Sequence, residues 1–137
     1  MNSGVSFKTI SKMIKKSWDD ETCFPVQKNE WDQSLPELGQ CAVTALLVQD
    51  YLGGTIAYNK EYDHFWNILP NGSQLDLTKK QFRDHPELEV DSRVSRELLL
   101  NSAGAEKQRT RLRYNLLKKR VQRLESKISK NFAIPCY

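Results

Sequence analysis

The segment at residues 40–52, with the sequence QCAVTALLVQDYL, constrains the fold more than any other part of the chain. It predicts a helix that is apolar on almost every face, and such a helix has to be buried on all sides. Gly53 and Gly54 end it, because glycine readily adopts the left-handed conformation in which helices terminate. A chain of 137 residues is long enough for one hydrophobic core and too short for two. The remaining segments must therefore cover this helix.

The other segments predict the helices and strands that cover this buried helix. Residues 5–18 carry apolar side chains at helical spacing and predict a short amphipathic helix. Residues 62–69 are rich in strand-forming types, and residues 73–78 form a return strand after the turn signal PNG at residues 70–72. We therefore predict an α+β fold in which the buried helix packs on a small antiparallel sheet. Further predicted elements are a loop at 19–39, a strand at 55–59, a short helix at 79–83, and helices at 92–100 and 105–130.

Charge divides the chain into two parts. Residues 1–104 carry 11 Lys and Arg against 15 Asp and Glu, whereas residues 105–137 carry 10 against two. This split predicts an α+β domain at 1–104 and a basic helical appendage at 105–137. An apolar stripe runs along the appendage at Leu117, Val121, Leu124 and Ile128. The side chains of the surrounding basic face should remain solvated or meet acidic residues of 1–104. This face consists of Arg109, Arg111, Arg113, Lys118, Lys119, Arg120 and Arg123.

The basic appendage has several possible roles. We expect an interaction element outside the catalytic core, whose stripe is buried on its own body or on a second copy. A protein partner or a homodimer fits this expectation. Nucleic acid is the other partner considered, because basic helices attract phosphate whatever the base sequence.

Cysteine usage bears on compartment and metal binding. Cys23, Cys41 and Cys136 are an odd number at wide spacing, in a chain without the apolar stretch of a signal peptide or membrane span. We expect a reduced, cytoplasmic setting and no membrane association. Because the chain has no CxxC pair and only two histidines, we predict neither a metal site nor a cofactor.

Cys41 is the candidate nucleophile, because it opens the buried helix. Free backbone N–H groups and the positive end of the helix dipole favour its thiolate form. The same N–H groups are able to hold an oxyanion as it forms. The alternative is that Cys41 is a small core hydrophobe, the commonest role of a cysteine in an apolar helix.

His64 and Asp76 are the candidate base and orienting group, and the turn decides whether they meet. A three-residue loop with proline at its second position and Gly72 as the left-handed residue pairs positions that sum to 142. Trp66 then faces Asp76 and His64 faces Thr78, so His64 is the diagonal neighbour of Asp76 on the same face. A two-residue Asn-Gly turn gives a sum of 143 and opposite faces. The proline favours the first register.

Residues 39–54 (GQCAVTALLVQDYLGG) and 64–78 (HFWNILPNGSQLDLT) resemble the YunG-like family of small bacterial proteins. This likeness covers about residues 31–83. The order of a cysteine at a helix start, a histidine on a strand and an aspartate on the next strand also resembles transglutaminase-like and papain-like cysteine enzymes. The resemblance implies a core of that type with a Cys41–His64–Asp76 triad. It implies an oxyanion glutamine as well, for which Gln40 and Gln33 are the candidates at unusual spacing.

The sequence therefore predicts a thiol-dependent acyl-transfer enzyme, a peptidase, amidase, deamidase or transglutaminase-like protein acting on a peptide or amide. Trp31 and Trp66 are interpreted as core or pocket wall. The alternative function is a non-enzymatic binding module that uses the basic helix to hold a protein partner or nucleic acid.

Overall fold

The computed structural model describes residues 6–84 and 86–132, and the side chains as far as Ile128. In this part of the chain, two α-helices precede the four strands and three α-helices follow them. The helices are α1 (Phe7–Ser17), α2 (Cys41–Leu52), α3 (Arg96–Asn101), α4 (Ala103–Lys107) and α5 (Thr110–Phe132), with short 3₁₀ helices at Pro25–Glu30 and Lys79–Gln81. The strands are β1 (Thr55–Asn59), β2 (His64–Ile68), β3 (Gln74–Leu75) and β4 (Ser92–Val94).

Helix α2 lies at the centre of the core, as its composition requires. Residues 43–48 are all buried in an unbroken run. The sheet covers one side through β2 and β1, and α5 and α1 cover the others. Asn67 on β2 donates a 2.9 Å hydrogen bond to the carbonyl of Ala45 and so fixes the strand against the helix. The prediction of an α+β fold with this helix on a small antiparallel sheet is confirmed.

The sheet has the strand order β3-β2-β1-β4, and every pairing is antiparallel. Asn67 pairs with Leu75 and Ile68 with Gln74, so the predicted register with a sum of 142 is the observed one. Gly72, with φ of +87°, donates its N–H to the Leu69 carbonyl at 2.8 Å and closes the three-residue loop. Here the backbone needs a left-handed residue, and glycine supplies it without strain.

Two details of the sheet differ from the prediction. Strand β3 ends at Leu75, so the predicted pairs of Trp66 with Asp76 and of His64 with Thr78 do not form. Strand β4, at Ser92–Val94, pairs with β1 where the sequence predicted the start of a helix. Three residues are too few for a strand periodicity to be recognised.

None of the described helices is both long and apolar enough to cross a bilayer.

The hydrophobic core extends across the domain boundary predicted at residue 104. Leu117 and Val121 of α5 are fully buried in the same cluster as α1 and α2, and Leu124 and Ile128 pack against its edge. The predicted stripe is therefore buried on its own body. The expectation of an appendage outside the core is wrong, because α5 packs directly on α2 and α1 in one buried cluster.

The basic face of α5 is also divided. Arg113 is buried, and Arg120 forms ion pairs with Asp19 at 2.9 Å and Glu21 at 3.8 Å. Arg120 thus meets acidic residues of 1–104, one of the two outcomes predicted for the basic face. Four other members of the face are exposed, namely Arg109, Arg111, Lys119 and Arg123, and Lys118 lies over the Tyr114 ring.

Replacing Leu117 by alanine tests whether α5 belongs to the core. Leu117→Ala removes a fully buried side chain and should lower the free energy of unfolding by about 2–5 kcal/mol. Leu112→Ala, on the same helix at 67% exposure, should change it by less than about 0.5 kcal/mol. Urea denaturation of both variants makes the comparison. Equal stability of the two would place α5 outside the core.

Candidate active site

Cys41 is the first residue of α2, and its side chain is only half-buried. Gln40 caps the helix through its backbone, whose carbonyl accepts from the Thr44 N–H at 3.0 Å. The N–H groups of the first helical turn have no intrahelical acceptors, so they are free to bind an anionic oxygen beside the thiol. The thiol lines a cavity of about 500 Å³.

The loop before α2 supplies one wall of this cavity. Gly39 has φ of +71°, and a Cβ there would lie 2.6 Å from the Cys23 sulfur and 2.8 Å from the Phe24 nitrogen. Its carbonyl accepts from the Phe24 N–H at 2.8 Å. This close approach requires glycine, and it brings Phe24 and Gln27 to the cavity next to Cys41.

His64 opens β2, and its imidazole is completely buried. The Nε2 atom lies 2.7 Å from the Asp76 Oδ2 atom, within a strong hydrogen bond. Trp66 stacks on the ring at a centroid distance of 5.6 Å, and Phe82 meets it edge-on at 4.8 Å. The aromatic neighbours and the carboxylate together fix the orientation of the ring.

Asp76 lies just past the end of β3 rather than within a strand. Its Oδ1 atom accepts from the Thr78 N–H at 3.1 Å and from the Thr78 hydroxyl at 3.3 Å, which leaves Oδ2 for His64. The carboxylate thus initiates the turn that ends the strand, a common role of aspartate. The same turn leads into Lys79–Gln81, whose last residue reaches His64.

The pKa of His64 reports the balance of forces on the ring. Burial alone would lower it, because burial penalises the charged form. The hydrogen bond with the Asp76 carboxylate and the proximity of Cys41 outweigh burial and raise the pKa to about 9. The protonated imidazole is therefore favoured beside the carboxylate, and in this state it is able to donate a proton.

Gln81 completes the polar part of the site. Its side-chain amide lies 3.2 Å from His64 Nδ1 and 3.3 Å from the Thr78 hydroxyl, and it lines the cavity with Cys41. Sequence analysis does not predict a role for Gln81, because this residue lies in a short polar segment with no motif. Much of the remaining wall is apolar and comes from Ala42, Tyr62, Phe65, Phe82, Leu99 and Ala105.

Four other predicted site residues lie elsewhere. Gln40 is fully buried and donates its amide N–H to the Asp19 carbonyl at 3.0 Å, so its side chain is committed to the fold. Gln33 is exposed on the preceding loop, away from the lining of the cavity. Trp31 donates to the Pro36 carbonyl at 3.1 Å and, like Trp66, is not among the residues described as lining the cavity. Trp66 contributes by supporting His64 instead.

Arg113 is the residue whose position departs most from the prediction. The sequence predicts a side chain that is solvated or paired with an acidic residue, yet Arg113 is 5% exposed and lines the same cavity as Cys41. A signal for this was present in the sequence, because Arg113 stands four residues before Leu117 and therefore continues the buried stripe. Because the helix is rich in Lys and Arg, this spacing was not interpreted as a sign of burial.

One acidic cluster in the described part of the chain has ligand atoms within 4.8 Å of one another, at Asp19, Asp20 and Glu21. Asp19 and Glu21 pair with Arg120, which already neutralises much of their charge. The cluster lies outside the lining of the cavity.

Comparison with known proteins gives the family. The model of the YunG protein family matches residues 6–125. The chain belongs to the YunG family. The match runs from α1 well into α5, so the resemblance extends far beyond the predicted 31–83 and includes the basic helix.

A relative in Bacillus subtilis (strain 168), "Uncharacterized protein YunG", is 37% identical over 76 residues. The aligned part is 54% of this chain and 61% of that protein, so the similarity spans about three-fifths of the relative's length. No solved structure matches the chain.

The hydrogen bonds of His64 predict a pH-dependent stability. Because its pKa is about 9 in the fold and 6.5 ordinarily, its contribution is fully present below pH 6.5 and is lost as the pH rises through about 9. Asp76→Asn should lower this pKa and reduce that loss. NMR titration in a His85→Gln background, which leaves one imidazole, measures the pKa directly. A value near 6.5 in both proteins would contradict the assigned hydrogen bonds.

The two described cysteines should differ in reactivity. Burial raises the pKa of Cys23 to about 11, and its side chain is 1% exposed, whereas Cys41 lines the cavity. Iodoacetamide at pH 6 should therefore label Cys41 in the folded protein and Cys23 only after unfolding. Peptide mapping of a Cys136→Ser variant gives the two rates. Faster labelling of Cys23 would refute the assignment.

Proposed function

We propose that this YunG-family protein is a cysteine enzyme that transfers an acyl group through a thioester on Cys41. The observation that carries the proposal is the 2.7 Å hydrogen bond of the buried His64 imidazole to the Asp76 carboxylate, with Cys41 near enough to the ring to raise its pKa and itself lining a cavity. A nucleophile, a base and an orienting group in this order are the elements of a catalytic triad.

The proposal takes the roles of the three residues from their order, which is the order expected of transglutaminase-like and papain-like enzymes. Cys41 begins a buried helix, His64 begins a strand that packs on that helix, and Asp76 follows the neighbouring strand. Nε2 of the imidazole faces the carboxylate, so the proton exchanged with the thiol and the substrate is the one on Nδ1. Gln81 lies 3.2 Å from Nδ1, so its amide has to turn from the ring towards the substrate, where it serves as the oxyanion glutamine.

The proposed reaction proceeds in two steps. The Cys41 thiolate attacks the carbonyl carbon of a peptide or amide, while first-turn N–H groups of α2 and the Gln81 amide hold the developing oxyanion. His64 donates its proton to the leaving nitrogen, the C–N bond breaks and a thioester remains. His64 then takes a proton from water or from an incoming amine, which attacks the thioester and regenerates the thiolate. Hydrolysis or transfer results accordingly.

An activated ester tests the proposal without knowledge of the natural substrate. p-Nitrophenyl acetate should acetylate Cys41 in a burst, detected as an adduct by mass spectrometry and lost in Cys41→Ala. His64→Ala should slow acetylation about 100-fold or more. Asp76→Asn should slow it less, because its effect passes through the imidazole. Replacing the other histidine, in His85→Gln, is the matched control and should leave the rate unchanged.

Alkylation separates the oxyanion donor from the base. Iodoacetamide reacts at the sulfur without forming an oxyanion, so Gln81→Ala should slow acetylation by about 100-fold and alkylation far less. Acetylation that is distributed equally over the cysteines, or unaffected by His64→Ala, would refute the enzyme proposal.

A further inference from the structure

Arg113 is a buried cation without a carboxylate partner. It is 5% exposed, and no acidic side chain within residues 6–84 and 86–128 forms a salt bridge with it. Arg96 and Arg120, by contrast, pair with Asp50 and Asp19 at 2.8 and 2.9 Å. Removing a guanidinium charge from water is costly unless an opposite charge compensates it.

The hydrogen bonds of Arg113 satisfy only part of its guanidinium. Nε donates to the Gln108 carbonyl and Nη1 to the Thr22 carbonyl, each at 3.0 Å. These neutral acceptors fix the plane of the group, and Phe24 packs against it at 6.0 Å from ring centroid to Cζ. Nη2 has no hydrogen-bond partner in the part of the chain that the structure describes.

The position of the group points to a ligand. Arg113 lines the cavity that Cys41 opens into; much of the remaining wall is apolar, and its one carboxylate among the described residues, Asp63, accepts the hydrogen bond of the Tyr58 hydroxyl at 2.8 Å. Desolvation lowers the pKa of the guanidinium and the nearby Cys41 and Cys23 partly offset this, yet arginine remains charged in proteins. A fixed, buried cation without a carboxylate partner favours an anion that arrives with the substrate, since apolar walls strengthen the attraction.

We propose that Arg113 binds a carboxylate of the substrate, so that the preferred substrates are peptides or amides that carry an acidic group near the reacting carbonyl. This inference rests on the proposed function of Cys41 and adds the substrate class. Guanidinium matches a planar carboxylate, and the free Nη2 together with the cavity-facing edge of the group is available for it.

Two alkylating reagents of nearly equal size test the carboxylate site. Iodoacetate carries a carboxylate and iodoacetamide a neutral amide, and in both the Cys41 sulfur forms the new C–S bond as iodide leaves. The ratio of the iodoacetate rate to the iodoacetamide rate should be at least about tenfold higher for Cys41 than for the unfolded chain. Arg113→Gln should lower this ratio about tenfold, and Arg113→Lys should lower it less.

Lys107→Gln is the matched control, because it removes one exposed positive charge next to Gln108 on the cavity wall. It should leave the ratio unchanged at constant ionic strength. A parallel fall of both rates in Arg113→Gln, with the ratio unchanged, would show that Arg113 acts on the thiolate and would overturn the carboxylate site.

Wild-type protein provides a test that does not depend on the folding of the variants. Succinate should protect Cys41 from iodoacetamide at concentrations at which succinamide does not. Equal protection by the two would overturn the inference. The failures are distinguishable, because a Cys41 that iodoacetamide does not label in preference to Cys23 refutes the enzyme itself, whereas a labelled Cys41 without carboxylate preference refutes only the substrate class.

Discussion

The burial of α2 is the constraint on which the rest of the structure depends. A helix that is apolar on almost every face cannot have a solvent side, so the sheet, α1 and α5 have to surround it. Its first residue is the place where this enclosed helix meets a cavity. The Cys41 thiol is consequently held by the core itself, and a rigid element positions a reactive group better than a loop does.

The helix and strands around Cys41, His64 and Asp76 were predictable from patterns in short stretches of sequence. The apolar run fixed the position of α2, and the proline and glycine of the 70–72 turn selected the register that brings His64 and Asp76 together. These are properties of short segments, in which backbone preference and periodicity are strong. The end of β3 at Leu75 was not predicted, because it depends on the hydrogen bonds of the Asp76 carboxylate with Thr78 and His64.

Tertiary contacts decided what the sequence could not. A basic helix has the same composition whether its arginines face water or the interior, and only the packing of α5 on α2 directs Arg113 inward. Gln40 stands beside Cys41 in the sequence, but the carbonyl of Asp19 accepts the hydrogen bond of its side chain. Gln81 reaches His64 because the chain turns back after Asp76. Each of these contacts is made between segments that are far apart along the chain, so local sequence patterns do not predict it.

The wall that α5 contributes to the cavity has a consequence for synthesis on the ribosome. A nascent chain that has emerged only as far as Phe82 already contains the cysteine, the histidine and the aspartate. It lacks the late helix that both covers α2 and closes the cavity. Prematurely terminated products would expose the uncovered apolar helix α2 to quality-control proteases. The Cys41 thiol would gain the cavity wall that α5 supplies only after translation has passed the part of this helix that enters the core.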